Sequence, residues 1–295
     1  MKLIRKIKAT PDGMVIYCPE SYTTIRLNKA EARKMFKVKK FPADASPEVV
    51  HLEISDTCNM DCPYCYVKNK VGKELDTNTW KKIITELESS GVFQVTFGGG
   101  EPTMRKDLYQ LAVHAKKLGL TLCMTSNGMN IPDMSPLILN KFDQINISWH
   151  GNYAIVATAL EKLQKSEVRR GINFCLSKQY EKDIPRIIAL AEQYDAEILY
   201  LTYKAIAKDW KNQIMPSEVM KIAKKTEKQG VKVAVDGATC NVCLASKRFC
   251  DIDSQGNVMV CSFIRKPVGN LLEKQFKEIW SSRQKVTSCP YVKQK

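Results

Sequence analysis

Three cysteines stand close together in Ser55-Asp56-Thr57-Cys58-Asn59-Met60-Asp61-Cys62-Pro63-Tyr64-Cys65, a Cys-x3-Cys-x2-Cys spacing. A short loop of this kind can bend three thiolates around one centre, and soft thiolates select iron-sulfur or zinc over harder ions. Three ligands leave one coordination position open, as in a catalytic centre; a structural centre closes with four protein ligands. A zinc knuckle would need a fourth local Cys or His, and only His51 is near, inside a strand pattern. A second set, Cys240-x2-Cys243-x6-Cys250-x10-Cys261 with Cys289 beyond, offers five thiols where four suffice. Zinc competes there, because Cys-x2-Cys followed by further cysteines is also ribbon spacing. Between the two sets, Phe97-Gly98-Gly99-Gly100-Glu101-Pro102 joins glycines that permit close backbone approach to a carboxylate able to accept from an ammonium group.

The elements that position these residues follow from periodicity. Short β-branched runs at 49–54, 93–97, 120–125, 143–148, 172–176 and 197–202 alternate with helical patterns, the mark of repeated βα units. In 77–89, Trp80, Ile83, Ile84 and Leu87 recur at helical spacing, with Asp76 or Thr77 as N-cap and Gly91 past the end. Six strands are too few for a closed eight-unit barrel, so the fold class expected is α/β, a partial (β/α)6 TIM barrel with its site at the strands' C-terminal ends. Residues 1–47 form a small N-terminal element, a hairpin turning at Thr10-Pro11-Asp12-Gly13 and a helix over 28–36. The barrel is expected over 48–235. Residues 236–295 are a cysteine-rich extension, with a hairpin over 251–260 and an amphipathic helix over 273–281.

The cysteine loop after strand one and the Gly-Gly-Glu-Pro run at the end of strand two together resemble the radical S-adenosylmethionine (SAM) superfamily, over residues 48 to about 203. The resemblance implies that Cys58, Cys62 and Cys65 hold a 4Fe-4S cluster whose fourth iron chelates the methionine end of SAM. It implies that Gly99, Gly100 and Glu101 bind that methionine end, and that Tyr64 lies against the adenine. Ser126 and Asn127 after strand three, and Ser148 ending strand four, resemble polar positions near the ribose and carboxylate. The run from Cys250 through Gly256 to Cys261, with Gly269-Asn270-Leu271 and a helix ending in Ile279-Trp280, resembles the SPASM/twitch extension of such enzymes. A full SPASM domain continues with a further cysteine-rich run; here one auxiliary 4Fe-4S cluster is expected, on Cys243, Cys250, Cys261 and Cys289, with Cys240 the spare or an alternative ligand.

The implied chemistry is reductive cleavage of SAM to a 5′-deoxyadenosyl radical that abstracts hydrogen from a substrate. A peptide or protein substrate leads, for oxidation, cross-linking or epimerisation, with a flavodoxin- or ferredoxin-type electron donor. A small-molecule twitch oxidoreductase or cyclase, an RNA-modifying enzyme and a non-catalytic iron-sulfur electron carrier are the alternatives. Cys18, Cys123 and Cys175 read as buried small hydrophobes; Cys123 or Cys175, if directed into the barrel, could instead return a hydrogen atom to a substrate radical. His51, His114 and His150 lack ligand spacing and read as core or surface residues, although His150 could face the cavity after strand four. Trp149 reads as a plug of the barrel mouth.

Composition sets the class around this chemistry. The 295 residues, 44% hydrophobic and 26% charged, suit a globular protein with a sizeable core. No apolar run has the length of a signal peptide core or a membrane span, so a cytoplasmic protein without a membrane is expected, where clustered cysteines read as metal ligands. The net charge of +15 sits at the ends: residues 1–47 hold 11 Lys/Arg against 4 Asp/Glu, and 265–295 hold 8 against 2. A solvated lysine-rich surface is the plain reading, and a dock for an acidic peptide the sharper one. Nucleic acid is not favoured, since no RRM motif or C2H2 finger occurs.

Overall fold

The computed structural model describes residues 6–67, 74–240 and 242–293. The six expected strands form as β4 (Val49–Ser55), β5 (Gln94–Gly99), β6 (Thr121–Ser126), β7 (Gln144–Ser148), β8 (Arg169–Leu176) and β9 (Glu197–Thr202), each paired in parallel with the next. A short seventh parallel strand, β10 (Val233–Val235), extends the far edge. Among the described residues the first and last barrel strands, β4 and β10, do not pair with each other, so the barrel is partial.

Alternation along β4 explains how one strand serves both core and site. Val50, Leu52 and Ile54 are fully buried in the core, whereas Val49 and His51 line the barrel cavity. Helix α2 (Thr77–Ser89) covers the core side. Asp76 caps it, accepting from the Thr79 amide at 2.8 Å, and Trp80, Ile83, Ile84 and Leu87 are buried as their spacing requires. Each such side chain contributes about 1.5–3 kcal/mol of transfer free energy.

The N-terminal element is a three-stranded antiparallel sheet, β1 (Lys6–Thr10), β2 (Gly13–Cys18) and β3 (Thr23–Asn28), followed by α1 (Lys29–Phe36). The part of the expected first strand before Lys6 lies outside the described residues. Sequence reading missed β3, whose residues are mostly exposed and carry no apolar alternation. Asn28 and Glu31 form a reciprocal capping box at the start of α1.

The C-terminal extension is joined to the barrel by its sheet. Strand β11 (Phe249–Ile252) adds in parallel to β4, with Asp251 opposite His51. Antiparallel β12 (Asn257–Cys261) and β13 (Ile264–Asn270) follow, giving ten strands in the order β10-β9-β8-β7-β6-β5-β4-β11-β12-β13. A C-terminal helix (Phe276–Ser282) packs Phe276, Ile279 and Trp280 inward. Arg283, at its end, donates to the Ser246 carbonyl at 2.6 Å and pairs with Asp44, tying the two ends of the chain together.

Candidate active site

A cavity of about 1030 Å³ runs along the inner face of β4. At the C-terminal end of β4 its wall includes Cys58, Cys62, Cys65, Gly99, Gly100 and Glu101. Ser126, Asn127, Ser148 and Tyr64 complete that region, so every SAM-binding position inferred from the sequence lies on one cavity.

The two motifs are bonded to each other through the backbone. The Gly100 amide donates to the Ser55 carbonyl at 2.7 Å, and the Glu101 amide to the Thr57 carbonyl at 2.8 Å. A Cβ on Gly100 would run into the Thr57 carbonyl, and Gly99 has φ 110°, so both positions require glycine. A second brace holds the approach to Cys58. Glu74 accepts from the Ser55 hydroxyl at 2.6 Å and the Asp56 amide at 3.0 Å, while Arg105 donates to the Ile54 carbonyl and pairs with Glu74. Sequence reading missed Glu74 and Arg105; the only local sign was an arginine two residues before an aspartate just after the Glu-Pro pair.

Glu101 is 1% exposed. Its Oε1 accepts from the Thr103 amide (3.1 Å), the Thr103 hydroxyl (2.6 Å) and the Ser126 hydroxyl (2.8 Å), and its Oε2 accepts from the Asn127 amide at 2.7 Å. All four donors are neutral, and among the described residues no Lys or Arg forms an ion pair with it. A carboxylate oxygen has two lone pairs, so Oε2 retains acceptor capacity beside an uncompensated buried charge. An ammonium group fits that position. The Asn127 side chain donates to the Asn59 Oδ1 at 2.7 Å and so touches the cysteine loop from the other side.

Burial, together with the charges of Cys65, Cys58 and Asp61, pushes the Cys62 thiol up to about 11. Cys58 and Cys65 thus oppose ionisation of Cys62, and a metal cation taking the sulfurs would reverse that balance, so the donor set fits an iron-sulfur cluster. The Tyr64 hydroxyl lies 2.8 Å from His150 Nδ1 and 3.3 Å from the Tyr180 hydroxyl. His150 Nδ1 is also 3.7 Å from the Cys62 sulfur, and burial lowers its pKa. His150 faces the cavity, while Trp149 is buried and donates to Asp183 at 3.1 Å.

The second cysteine set divides. Cys243, Cys261 and Cys289 line the same cavity, and Cys289 feels the charge of Cys243 as Cys261 feels that of Cys289. Cys250 is not brought to this group. It lies opposite Val50, on the core face of β11, and is fully buried among apolar side chains. Cys240 is exposed, three residues before Cys243. The expected quartet therefore needs correction at Cys250, because strand alternation turns it away from the face that carries Asp251. Cys123 also lies off the cavity, near Asp143 and Arg169, whereas Cys175 is on its wall near Lys204 and Asp236. Lys204 and Asp236, an ion pair on that wall, were not found by sequence reading.

Comparison with known proteins agrees with this architecture. Residues 52–181 match the Radical SAM superfamily, and residues 243–292 match SPASM, an iron-sulfur cluster-binding domain. The chain belongs to the radical SAM superfamily and carries a C-terminal SPASM domain, so its cofactors are SAM, a 4Fe-4S cluster and auxiliary iron-sulfur. It is 27% identical over 279 residues to the PqqA peptide cyclase of Xanthomonas euvesicatoria pv. vesicatoria, covering 80% of this chain and 74% of that protein. It is 22% identical over 294 residues to the AdoMet-dependent heme synthase of Methanosarcina barkeri, covering 81% and 83%. Three other curated relatives are matched over only 20%, 49% and 46% of their own lengths. In fold the chain is similar to Streptococcus suis SuiB bound to precursor peptide SuiA, with TM-score 0.72, 13% identity, and coverage of 94% of this chain and 88% of that one. Among the described residues no helix is long and apolar enough to cross a membrane.

Proposed function

We propose that this chain is a radical SAM enzyme that modifies a peptide. The observation that carries the catalytic part is Glu101, a buried carboxylate without a cation, set by Ser126 and Asn127 beside the three-cysteine loop. When bound, the cluster and SAM supply one electron and a 5′-deoxyadenosyl radical able to abstract hydrogen. Cys58, Cys62 and Cys65 hold the cluster. Glu101 receives the SAM ammonium group, Asn127 and Ser148 bound the cofactor on the β6 and β7 side, and Tyr64, locked against His150 and Tyr180, closes the wall.

Cys243, Cys261 and Cys289, with Cys240 as the fourth thiol, hold one auxiliary 4Fe-4S cluster on the same cavity. A flavodoxin- or ferredoxin-type protein supplies electrons. The peptide reading is supported by relatives named for peptide substrates and by the cavity's reach to the other end of β4, where Arg26 and Arg248 flank Glu48. Two cations on one carboxylate leave a net positive rim, suited to an acidic segment of an extended chain. The test is anaerobic turnover with short acidic peptides encoded beside this gene, read by mass spectrometry. A peptide that changes mass only with SAM and reductant supports the reading.

A second reading has its own support, since the heme synthase match covers more of that relative than the cyclase match does of its own. Porphyrin titration followed by visible absorption separates the two. Stoichiometric, tight porphyrin binding would replace the peptide reading.

A further inference from the structure

The inner face of β4 carries a second polar group, deep in the sheet and separate from the SAM-binding residues. His51 and Asp251 stand opposite each other on the parallel pair β4 and β11, with His51 Nδ1 3.4 Å from Asp251 Oδ2. Glu53, two residues along β4, is 1% exposed and takes both Nη atoms of Arg265 from β13. Tyr66, from the segment after Cys65, is a further titratable neighbour, with its ring 6.4 Å from His51 and 5.3 Å from Phe263. The charges do not close. Two buried carboxylates face one arginine, and among the described residues Asp251 Oδ1 has no hydrogen-bond partner although the residue is fully buried. A proton taken up by the imidazole would bring one further positive charge to this group. Burial alone would lower the His51 pKa, but Asp251 and then Glu53 outweigh it and hold it above the ordinary value. Burial and the Asp251 charge push the Glu53 carboxyl up.

Two further features give this group a function. His51 lines the cavity, and its Nε2 lies over Gly98, where a Cβ would collide with the ring; the glycine leaves that nitrogen its place. Asp251 also pairs across the C-terminal hairpin with Met259, and Cys261 lies two residues further along β12. In an antiparallel pair such a diagonal neighbour is on the same face at roughly 7–8 Å, and the Asp251 charge reaches Cys261.

We propose that His51, held by Asp251, is the proton acceptor coupled to reduction of the auxiliary cluster. This rests on the reading of Cys243, Cys261 and Cys289 as ligands of that cluster. One electron enters the cluster, and one proton adds to His51 Nε2, converting imidazole to imidazolium. The added negative charge on the cluster raises the proton affinity of a ring one strand away, and the imidazolium in turn favours the reduced cluster. In turnover both come from the substrate radical, which loses an electron and a proton together. In the test below the electron comes from dithionite and the proton from solvent. The substrate class that follows is one oxidised at a carbon bearing, or next to, an ionisable hydrogen.

The experiment is a potentiometric titration of the full chain carrying Cys58→Ala, Cys62→Ala and Cys65→Ala, reconstituted with iron and sulfide and followed by electron paramagnetic resonance at several pH values. The potential is expected to fall by about 59 mV per pH unit, one proton per electron, across the range in which His51 titrates. His51→Gln is expected to flatten that dependence. A flat profile in the His51-containing protein, or the same slope after His51→Gln, overturns the inference while the cluster reading stands. Failure of the protein to retain iron overturns the cluster reading, and the inference with it.

Discussion

Ser126 donates its hydroxyl to Glu101 at 2.8 Å, joining the exit of one barrel strand to the exit of the next. The adjacent Asn127 amide takes the other carboxylate oxygen at 2.7 Å, so Glu101 is fixed by two neighbours before any cofactor arrives. A preset acceptor spends no ordering entropy when the ammonium group binds.

Glu101→Gln removes the charge and keeps the shape. A hydrogen bond to a charged group contributes about 1.5–3 kcal/mol, so SAM affinity is expected to fall roughly ten- to a hundredfold in equilibrium dialysis, with the cluster retained. An unchanged affinity would remove Glu101 from the ammonium site.

The auxiliary ligands can be separated by iron content. Cys243→Ala, Cys261→Ala and Cys289→Ala are each expected to lose the auxiliary cluster, and Cys240→Ala to lose or weaken it. Cys250→Ala is expected to keep it and to lower stability by about 1 kcal/mol through lost packing. Loss of iron from Cys250→Ala at undiminished stability would return Cys250 to the ligand set.

Arg283→Ala should loosen the joint between the two ends of the chain. The arginine side chain is 1% exposed, stacks on Trp280 at 3.7 Å and pairs with Asp44. Its loss is expected to cost about 2–4 kcal/mol in urea unfolding, with SAM affinity unchanged.

Acid stability has a defined sign at Asp236. Burial works to raise its pKa, but Lys204 and hydrogen bonds from Thr239 prevail and hold the carboxyl below its ordinary value. The stabilisation is therefore complete above the unfolded value near about 3.9 and is lost as pH falls through the lower folded value. Urea midpoints for wild type are expected to drop faster on acidification than those of Asp236→Asn, and parallel curves would contradict the assignment.

Much of this was legible in the chain. The strand and helix patterns of the βα units placed six strands and α2 within a few residues of their observed bounds, because each is set by local alternation and capping. The cysteine loop and the Glu101 run were legible because each is a short contiguous run whose residue types and spacing are seen without knowing the fold. What was not legible depends on distant pairing. His51 and Asp251 meet across 200 residues, and no local pattern shows that β11 adds to β4. Cys250 could have been excluded by alternation, since Ile252 shares its face and Asp251 does not. Glu74 and Arg105 act by holding backbone, which imposes no periodic signal.

The most direct measurement is product analysis after anaerobic reconstitution, reduction and addition of SAM, on wild type and on the Cys58→Ala, Cys62→Ala, Cys65→Ala protein. The account predicts 5′-deoxyadenosine from wild type only, with two clusters' worth of iron in wild type and one in the variant. An intact, reduced cluster in wild type that yields no 5′-deoxyadenosine, or zinc in place of iron, would contradict it.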